Sequence, residues 1–320
     1  MASNQPDRQP SPSGDIVVLG GLNLDFIFKA DRLPQPGETV IGDAFDTTPG
    51  GKAGNQAVAA ARLLGVPNQV QMVGRLGDDW MGVELRRALD ESGVDHTNVH
   101  VDPEATSGVA AIYVDGTGEN TVTAIYGANA KLDATDAARA RALLPHASVL
   151  LTQLETPWAA TAQVIDESAR HNVTVILDPA PIRDLPPNAF VNVDILTPNQ
   201  GEAERWSNIA VTDVASATAA GRKIRELGPR RVIVTLGADG VVLVDADTAE
   251  HHPAFSVDVV STLAAGDAFN GGLAAGLAER LPLSQAIRRA QATAALSTTR
   301  PGAQAAIPAR AEVEVLLAKD

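Results

Sequence analysis

Short apolar segments alternate with longer helical segments through most of this chain, and this alternation limits the possible folds more than any other feature. DIVVLGG, ASVLLTQ, VTVILDPA and RRVIVTLG have the length and the branched apolar residues of buried strands. Helical segments lie between them, such as NQAVAAARLLG, which is rich in alanine and ends in glycine. This alternation predicts an α/β fold whose mostly parallel central sheet is covered by helices on both faces.

Two segments interrupt the alternation and predict a second, smaller sheet. Residues 26–49 contain short alternating runs separated by Pro and Gly, and residues 106–126 contain the hairpin signal DGTGEN. We interpret both as antiparallel strands that form a β lid beside an α/β core made of residues 14–25, 50–105 and 127–320. A small sheet with one apolar face must cover a substrate cleft, an identical sheet of a partner, or both. Residues 1–13 are predicted to form a disordered tail.

Charge and composition exclude several classes of protein. The formal net charge of −14 leaves no cationic face for nucleic acid. The chain has no cysteine, which excludes disulfides and thiolate metal sites and fits a reducing compartment. The N-terminal segment lacks the apolar region of a signal peptide, and no apolar run is long enough to span a bilayer. We therefore expect a cytoplasmic protein that binds neither nucleic acid nor membrane.

The segment STLAAGDAFNGG predicts an anion site beside a carboxylate. Ala264, Ala265 and Gly266 are small, so successive backbone N–H groups can approach one anion, and the helix that follows adds positive partial charge. Asp267 is then placed as a general base beside a phosphoryl group that is being transferred. A helix N-cap is the alternative role for Asp267.

Polar side chains after the first strand and before the first helix predict a site for a hydroxyl-rich ligand. Asn23 and Asp25 in GLNLD are two residues apart on an extended segment, so both point to one side. Gly51, Lys52 and Asn55 in TPGGKAGNQ combine close backbone approach with hydrogen-bond donors. Neither a P-loop nor a GxGxxG fingerprint is present. A capped turn is the alternative interpretation for GLNLD, and an ordinary loop-to-helix turn is the alternative for TPGGKAGNQ.

Three further strand ends carry candidate residues. In TPNQGEAE, Asn199 and Glu202 either hold a hydrated Mg²⁺ or form a helix-capping arrangement. Glu155, at the end of QLE, can reach the same cleft. TLGADG, residues 235–240, is either a simple hairpin or a platform for a nucleotide.

Taken in order, GLNLD, PQPGETV, GGKAGNQAVAAAR, QLE, TPNQGEAE, TLGADG, AAGDAFNGG and RPGAQAAIP resemble the ribokinase-like (PfkB) carbohydrate kinases over residues 15 to 318. The combination of GGKAGNQA with AAGDAFNG is specific to that family. The resemblance implies a Rossmann-like core with a β lid that closes over the sugar and pairs in a homodimer. It also implies transfer of the γ-phosphate of ATP to the O5 hydroxyl of D-ribose.

The resemblance assigns roles to individual positions. Asp267 is implied as the catalytic base, next to the anion hole of Ala264, Ala265 and Gly266. The implied sugar ligands are Asn23, Asp25, Gly51, Lys52, Asn55, Glu155 and Asp267. The implied ATP-binding residues are Asn199, Thr235, Gly237, Gly240, Gly266 and Gln291, of which Gln291 differs from the usual residue type. Asn199 and Glu202 are implied to steer Mg²⁺ through water.

Two departures from the family pattern have consequences. The usual GGKGAN is GGKAGN here, with Ala53 and Gly54 exchanged, and we expect a local adjustment of the backbone. The family's monovalent-cation site would fall on Ser261, Leu263, Ser297, Arg300, Gly302 and Ala306. Its usual carboxylate is replaced by Ser261 and a second side-chain ligand by Ala306. Because hard cations favour charged oxygen ligands, we expect weak activation by K⁺ or none.

Two other functions stay open at this stage. A kinase for another sugar or for a nucleoside is one of them, and Phe26, Phe28 and Tyr126 could then supply a pocket for a base. The other is a sugar-binding regulator without turnover, against which the presence of Asp267, Asn199 and Glu202 argues.

Overall fold

The computed structural model describes residues 14–117 and 120–319, and the tail predicted for residues 1–13 lies outside them. Elements are numbered in chain order. The helices of the described part are α1 Lys52–Leu64, α2 Trp80–Glu91, α3 Ala134–Leu143, α4 Trp158–Arg170, α5 Gln200–Ser207, α6 Val214–Arg225, α7 Ala265–Ala278, α8 Leu283–Ser297 and α9 Arg310–Leu317. None of these helices has the length and apolar character needed to span a membrane.

A large sheet forms the centre of the molecule. Its strands are β1 Asp15–Leu19, β4 Val70–Gly77, β5 Asp95–Asp102, β8 Ala147–Thr152, β9 Thr174–Leu177, β10 Ile195–Leu196, β11 Arg231–Thr235, β12 Val241–Val244 and β13 Ala249–His252. Their order is β13-β12-β11-β10-β9-β8-β1-β4-β5. Near one edge β12 pairs antiparallel with both of its neighbours, β11 and β13, and the other pairs are parallel. The predicted fold class is confirmed.

Apolar residues on both faces of the sheet explain why its strands are continuous apolar runs. In β1, Ile16 and Val18 belong to one buried cluster, whereas Val17 and Leu19 belong to a second. The first cluster includes the apolar residues of α1, α7 and α8, and the second includes those of α3, α4 and α6. Strand side chains alternate between the two faces, so each layer of helices covers one of them.

The smaller sheet has the order β3-β2-β6-β7 and projects from the ends of the core strands. Its strands are β2 Asn23–Lys29, β3 Ala44–Gly50, β6 Gly108–Val114 and β7 Asn120–Ile125. The prediction of antiparallel strands holds for β2–β3 and for β6–β7, but β2 pairs with β6 in parallel. Each hairpin is antiparallel internally, and the two hairpins join through strands that leave the core in the same direction.

The topology places one cleft at the carboxyl ends of the central strands. From β1, the sheet continues on one side through β4 and β5 and on the other side through β8, β9 and β10. Loops that follow strands on opposite sides of such a switch point diverge, and the crevice between them is the usual ligand site of open α/β sheets. The chain leaves β1 through Gly20 and Gly21 directly into β2, which brings the small sheet to this crevice.

Candidate active site

The loop after β1, the start of α1 and the loop after β8 meet around Glu155. The backbone N–H of Lys52 donates to Glu155 Oε2 at 2.9 Å, and Asn23 Nδ2 lies 3.5 Å from Glu155 Oε1. Burial raises the pKa of Glu155 to about 7. Lys52 opposes that rise, whereas Asp267 and Asp178 add to it. Three segments that are distant in sequence therefore place polar groups at one point.

Gly51, which precedes α1, makes this close approach possible. Its φ is 79°, and a Cβ there would lie 2.6 Å from Asn23 N and 2.7 Å from Gly21 O. Both the left-handed backbone and the lack of space require glycine. Ala53, the first of the two exchanged residues in GGKAGN, is buried within α1 at a helical position and occupies it without positive φ.

Asp267 lies buried in the first turn of α7 and faces α1. Asn55 Nδ2 donates to its Oδ2 at 2.9 Å, and Gln56 Nε2 donates to its Oδ1 at 3.0 Å. Burial raises the pKa of Asp267 to about 6, although Lys52 acts against this rise. The N-cap of α7 is Ala264, so the alternative in which Asp267 caps the helix is wrong. The two amide donors from α1 hold this carboxylate in place.

The ammonium group of Lys52 lies between two carboxylates. Its Nζ is 3.1 Å from Asp178 Oδ2 and 3.9 Å from Asp267 Oδ1. Burial acts to lower the pKa of Lys52, but Asp178, Asp267 and Glu155 outweigh it and raise the pKa above its ordinary value. Lys52 therefore remains a cation in the cleft.

Asp178, Gln56 and Gln153 complete this network, and the sequence interpretation missed all three. Gln56 Nε2 donates to Asp178 Oδ2 at 3.0 Å as well as to Asp267, and Gln153 Nε2 donates to Gln56 Oε1 at 2.5 Å. A signal for Asp178 was present, because it directly follows the apolar strand TVIL, where parallel sheets place ligand-binding residues. A similar signal was present for Gln153, which directly follows the apolar strand ASVLLT, whereas Gln56 lies within α1 and carries no comparable signal.

Three groups of this network have hydrogen-bonding capacity left. Asn55 Oδ1 and Gln153 Oε1 are buried and have no partner within the described residues. Asp25 is buried, and in the part of the chain described no donor reaches its carboxylate. Burial, with Glu155 and Asp267 nearby, raises the pKa of Asp25 to about 8. Buried polar atoms are normally paired, so these oxygens are available to a polar ligand.

The backbone before Asp267 is shaped for an anion. Ala264 has a left-handed φ of 58°, and the first intrahelical hydrogen bond runs from Ala268 N to Ala264 O at 2.9 Å. The N–H groups of Gly266 and Asp267 therefore lie ahead of the helical ladder. A Cβ at Gly266 would meet open space. The N–H of Ala265, by contrast with those of Gly266 and Asp267, already donates within the protein, to Thr262 O at 3.2 Å. The helix start thus offers backbone donors and positive partial charge beside Asp267.

A cavity of about 460 Å³ adjoins this helix start. Of the residues predicted to bind ATP, five line it: Thr235, Gly237, Gly240, Gly266 and Gln291. Gln291 Nε2 donates to His252 O at 2.8 Å, and Gln291 Oε1 accepts from Arg288 Nη1 at 3.2 Å. Its amide is therefore already engaged with the protein. The TLGADG segment is a tight turn between β11 and β12 that forms one wall of the cavity.

Asn199 and Glu202 form the capping arrangement at the start of α5. Asn199 N donates to Glu202 Oε2 at 2.9 Å, and Asn199 Nδ2 donates to Glu202 Oε1 at 2.8 Å. Burial, together with Asp178, raises the pKa of Glu202 to about 7. Within the described residues no group of acidic or histidine side chains forms a metal cage. Since the capping bonds occupy both carboxylate oxygens, this pair fits a metal that keeps its water shell, as Mg²⁺ does.

The residues expected at a monovalent-cation site lie in two segments beside α7. Ser261 Oγ accepts from Leu263 N at 3.3 Å, and Ser297 Oγ donates to Ala294 O at 2.8 Å. The two segments are tied directly, because Val260 N and Ser261 N donate to Thr298 O at 2.7 and 3.1 Å. The Arg300 side chain pairs with Glu312, and Ala306 is buried. This set offers no anionic side-chain oxygen, and its remaining oxygens are hydroxyl groups and backbone carbonyls.

Comparisons with known proteins agree with this geometry. The pattern described as "pfkB family carbohydrate kinase" matches residues 13–310. The chain is 35% identical to a ribokinase of Haemophilus influenzae, over 93% of this chain and 96% of that one. It is 34% identical to a deoxyribokinase of Salmonella typhi, over 92% and 95%. The structure of Arabidopsis thaliana ribokinase complexed with ribose and ATP matches with a TM-score of 0.86 and 30% identity, over 95% and 98%. The chain therefore belongs to the pfkB family of carbohydrate kinases.

Proposed function

We propose that this protein is a ribokinase, which transfers the γ-phosphoryl group of ATP to the O5 hydroxyl of D-ribose. The observation that carries the proposal is the position of Asp267. Its buried carboxylate lies at a helix start with free backbone donors, and the network of Asn55 and Lys52 connects it to the cleft below the small sheet. Kinship with ribokinases over nearly the whole chain supports the choice of sugar.

In this mechanism the chain's residues bind, orient and remove a proton. Asn23, Asp25, Gly51, Lys52, Asn55 and Glu155 bind the sugar hydroxyls and place O5 near Asp267. Asp267 accepts the proton of that hydroxyl as O5 forms a bond to the γ-phosphorus and the bond to the leaving ADP oxygen breaks. The N–H groups at the start of α7 stabilise the charge on the phosphoryl oxygens. The lid excludes water that would otherwise accept the phosphoryl group.

The metal and the nucleotide fit the other half of the cleft. We assign Asn199 and Glu202 to a hydrated Mg²⁺ that accompanies ATP, which would neutralise phosphate charge when bound. Thr235, Gly237, Gly240, Gly266 and Gln291 then surround the nucleotide. For K⁺ we propose little or no activation, because the direct backbone bonds to Thr298 already support the segment before the anion site.

Two further features are part of the proposal. Both edge strands of the small sheet, β3 and β7, carry exposed apolar side chains, since Phe45 is 60% and Ile125 is 61% exposed. We propose that the lids of two copies pair there in a homodimer. We also propose a cytoplasmic location, where ATP is available and where the reducing conditions agree with a chain that has no cysteine.

The alternatives differ in what the small sheet must accommodate. In β2, Asn23 and Asp25 share one face, whereas Phe26 and Phe28 alternate with them. Phe28 stacks on Tyr113 with ring centroids 5.2 Å apart, and Phe26 packs edge-on to Trp80 at 6.3 Å. Phe26 and Phe28 are therefore engaged on the face opposite the sugar ligands, so neither supplies a pocket for a base, whereas Tyr126, the third ring considered, interacts with Glu155 and Lys52. Deoxyribose stays the nearest alternative, since a deoxyribokinase is similarly related.

ATP consumption across ribose, 2-deoxyribose, fructose and nucleosides tests the proposal. We expect kcat/KM to be highest for ribose, and ³¹P NMR of the product to show a 5-phosphate ester. A higher kcat/KM for any other acceptor would contradict the assigned substrate. No turnover on any acceptor would favour the sugar-binding regulator.

A further inference from the structure

A fully buried asparagine that the proposed mechanism does not use lies where the lid leaves the core. Asn129 belongs to the short 3₁₀ helix Gly127–Lys131, directly after β7, and its exposed fraction is 0%. It contacts the opposite connection of the lid, at Leu22 and Asn23, more than 100 positions away in the chain. Such a buried polar group requires an explanation in terms of its partners.

Backbone partners determine which atom of the Asn129 side-chain amide is the oxygen and which is the nitrogen. Leu22 N donates to Asn129 Oδ1 at 3.0 Å, and Asn129 Nδ2 donates to Leu22 O at 2.9 Å. A backbone N–H can only donate and a carbonyl can only accept, so the orientation of this amide is unambiguous. Asn129 thus pairs with Leu22 as a strand neighbour would.

The second hydrogen of Asn129 Nδ2 then determines the orientation of Asn23. Asn129 Nδ2 donates to Asn23 Oδ1 at 2.9 Å, so the oxygen of the Asn23 amide faces Asn129. The nitrogen of that amide must face the other way, and it lies 3.5 Å from Glu155 Oε1. A donor at Asn23 therefore faces the proposed sugar site beside an acceptor at Glu155.

A third connection between lid and core, from β5 to β6, packs against the contact between Asn129 and Asn23. A Cβ at Gly108, the first residue of β6, would lie 2.2 Å from Asn23 Oδ1 and 2.3 Å from Asn129 Nδ2. Asn23 and Gly108 are register partners in the parallel pair of β2 and β6. Glycine at this position leaves the space in which the two amides meet.

We propose that Asn129 is a positioning residue for sugar binding, which holds the Asn23 amide so that its N–H, and not its oxygen, faces the sugar and Glu155. The inference rests on the proposed sugar-kinase function and names a residue beyond its direct ligands. Replacing Asn129 by Asp presents an oxygen to Asn23 Oδ1. The Asn23 amide must then turn over, which places its oxygen against Glu155.

A double-mutant cycle of Asn129→Asp and Asn23→Ala, read out by the sugar KM, the ATP KM and kcat, tests this role. We expect Asn129→Asp to raise the sugar KM about 10-fold or more while the ATP KM changes less than about 2-fold. In the Asn23→Ala background only the effect of the lost bond to Leu22 O should remain, so the same change should raise the sugar KM at least about 3-fold less than it does in the unmodified enzyme. Asn98→Asp, at a half-buried position of β5, controls for an added charge. An equal effect of Asn129→Asp in both backgrounds would overturn the proposal.

A second comparison leaves Asn129 intact and covers the case in which Asn129→Asp does not fold. Asn23→Asp keeps an oxygen for Asn129 but places another beside Glu155, so it should weaken sugar binding, measured by calorimetry, more than Asn23→Ala does. Equal or tighter binding by Asn23→Asp would overturn the assigned orientation. Turnover of the unmodified enzyme on the sugar panel tests the proposed function separately, so the two failures can be told apart.

Discussion

At the scale of single residues, the cleft concentrates carboxylates that burial keeps from ionising easily. The pKa of Asp25 is raised to about 8 and those of Glu155 and Asp267 to about 7 and 6, with the cation of Lys52 beside them. Buried groups of one charge sign destabilise a folded protein unless a ligand pairs them. In the absence of sugar, we therefore expect these carboxylates to lower the free energy of unfolding.

Replacing Asp25 by Asn should stabilise the empty protein at alkaline pH. The folded pKa of Asp25 lies above its unfolded value, so between about pH 4 and pH 8 the folded state binds more protons and stability falls as pH rises. Asn cannot ionise and removes this loss. We expect a gain in unfolding free energy on the order of 2 kcal/mol at pH 8.5, and a smaller gain at pH 5.

Denaturant unfolding at the two pH values measures this effect, with Asp46→Asn, on an exposed position of the neighbouring strand, as the control. Ribose binding by Asp25→Asn should weaken in parallel, because the removed carboxylate is a proposed sugar ligand. A variant that is less stable than the unmodified protein at pH 8.5 would contradict the account.

The sequence could point to residues with a local signal but not to those defined by packing. Asp267, Lys52, Asn55 and Glu155 stand beside glycine-rich turns or at strand ends, and the structure brings them to one cleft. Gln56 and Asn129 have polar amides within ordinary helical sequence. Their roles arise only from partners about 100 residues away, which a single sequence does not reveal.

At the scale of elements, the start of α1 should be far less tolerant of substitution than its end. Gly51 and Gly65 flank this helix, and both have positive φ, of 79° and 67°. A Cβ at Gly51 would collide with the backbone of Gly21 to Asn23, whereas a Cβ at Gly65 meets nothing within 4 Å. Conformational strain is therefore common to both positions, and steric overlap is confined to Gly51.

We expect Gly51→Ala to reduce kcat/KM for ribose at least about 10-fold, because it displaces the sugar ligands Asn23 and Lys52. Gly65→Ala should lower the unfolding free energy by only about 1 kcal/mol, with unchanged kinetics. Steady-state kinetics and thermal unfolding of both variants measure the difference. Similar kinetics for the two variants would show that close packing at Gly51 is unimportant for the site.

The segment before α7 should depend little on K⁺. Its two halves are joined by the bonds of Val260 N and Ser261 N to Thr298 O, and no carboxylate is present in the expected cation set. We expect turnover in KCl to exceed turnover in tetramethylammonium chloride, at equal ionic strength, by less than about 2-fold. Ser261→Asp should increase this K⁺ dependence. Large activation of the unmodified enzyme by K⁺ would be incompatible with the proposal.

Helices and core strands could be predicted from periodicity, because each element carries its own apolar pattern. The pairing of β2 with β6 could not, since parallel pairing joins strands about 80 residues apart and leaves no mark in either hairpin. The left-handed backbone of Ala264 could not be predicted from the sequence either, because non-glycine residues rarely adopt positive φ.

At the scale of the whole molecule, the small sheet is the part that a monomer leaves incompletely covered. Ile125 on β7 is 61% exposed and Phe45 on β3 is 60% exposed, at opposite edges of the sheet. Sedimentation equilibrium should therefore give a dimer. Ile125→Lys should shift the mass towards the monomer, whereas Val315→Lys, on an equally exposed residue of α9, should not. A monomeric unmodified protein at micromolar concentration would refute dimerisation.

The central claim is that Asp267 removes the proton of the sugar hydroxyl, and Asp267→Asn tests it most directly because the amide keeps the shape of the side chain. The measurement is the rate of ATP-dependent ribose phosphorylation by this variant, with ribose binding determined by calorimetry on the same sample. We predict that turnover falls by about 10³-fold or more while the Kd for ribose changes less than about 3-fold. Turnover near that of the unmodified enzyme would contradict the assignment of Asp267 as the base.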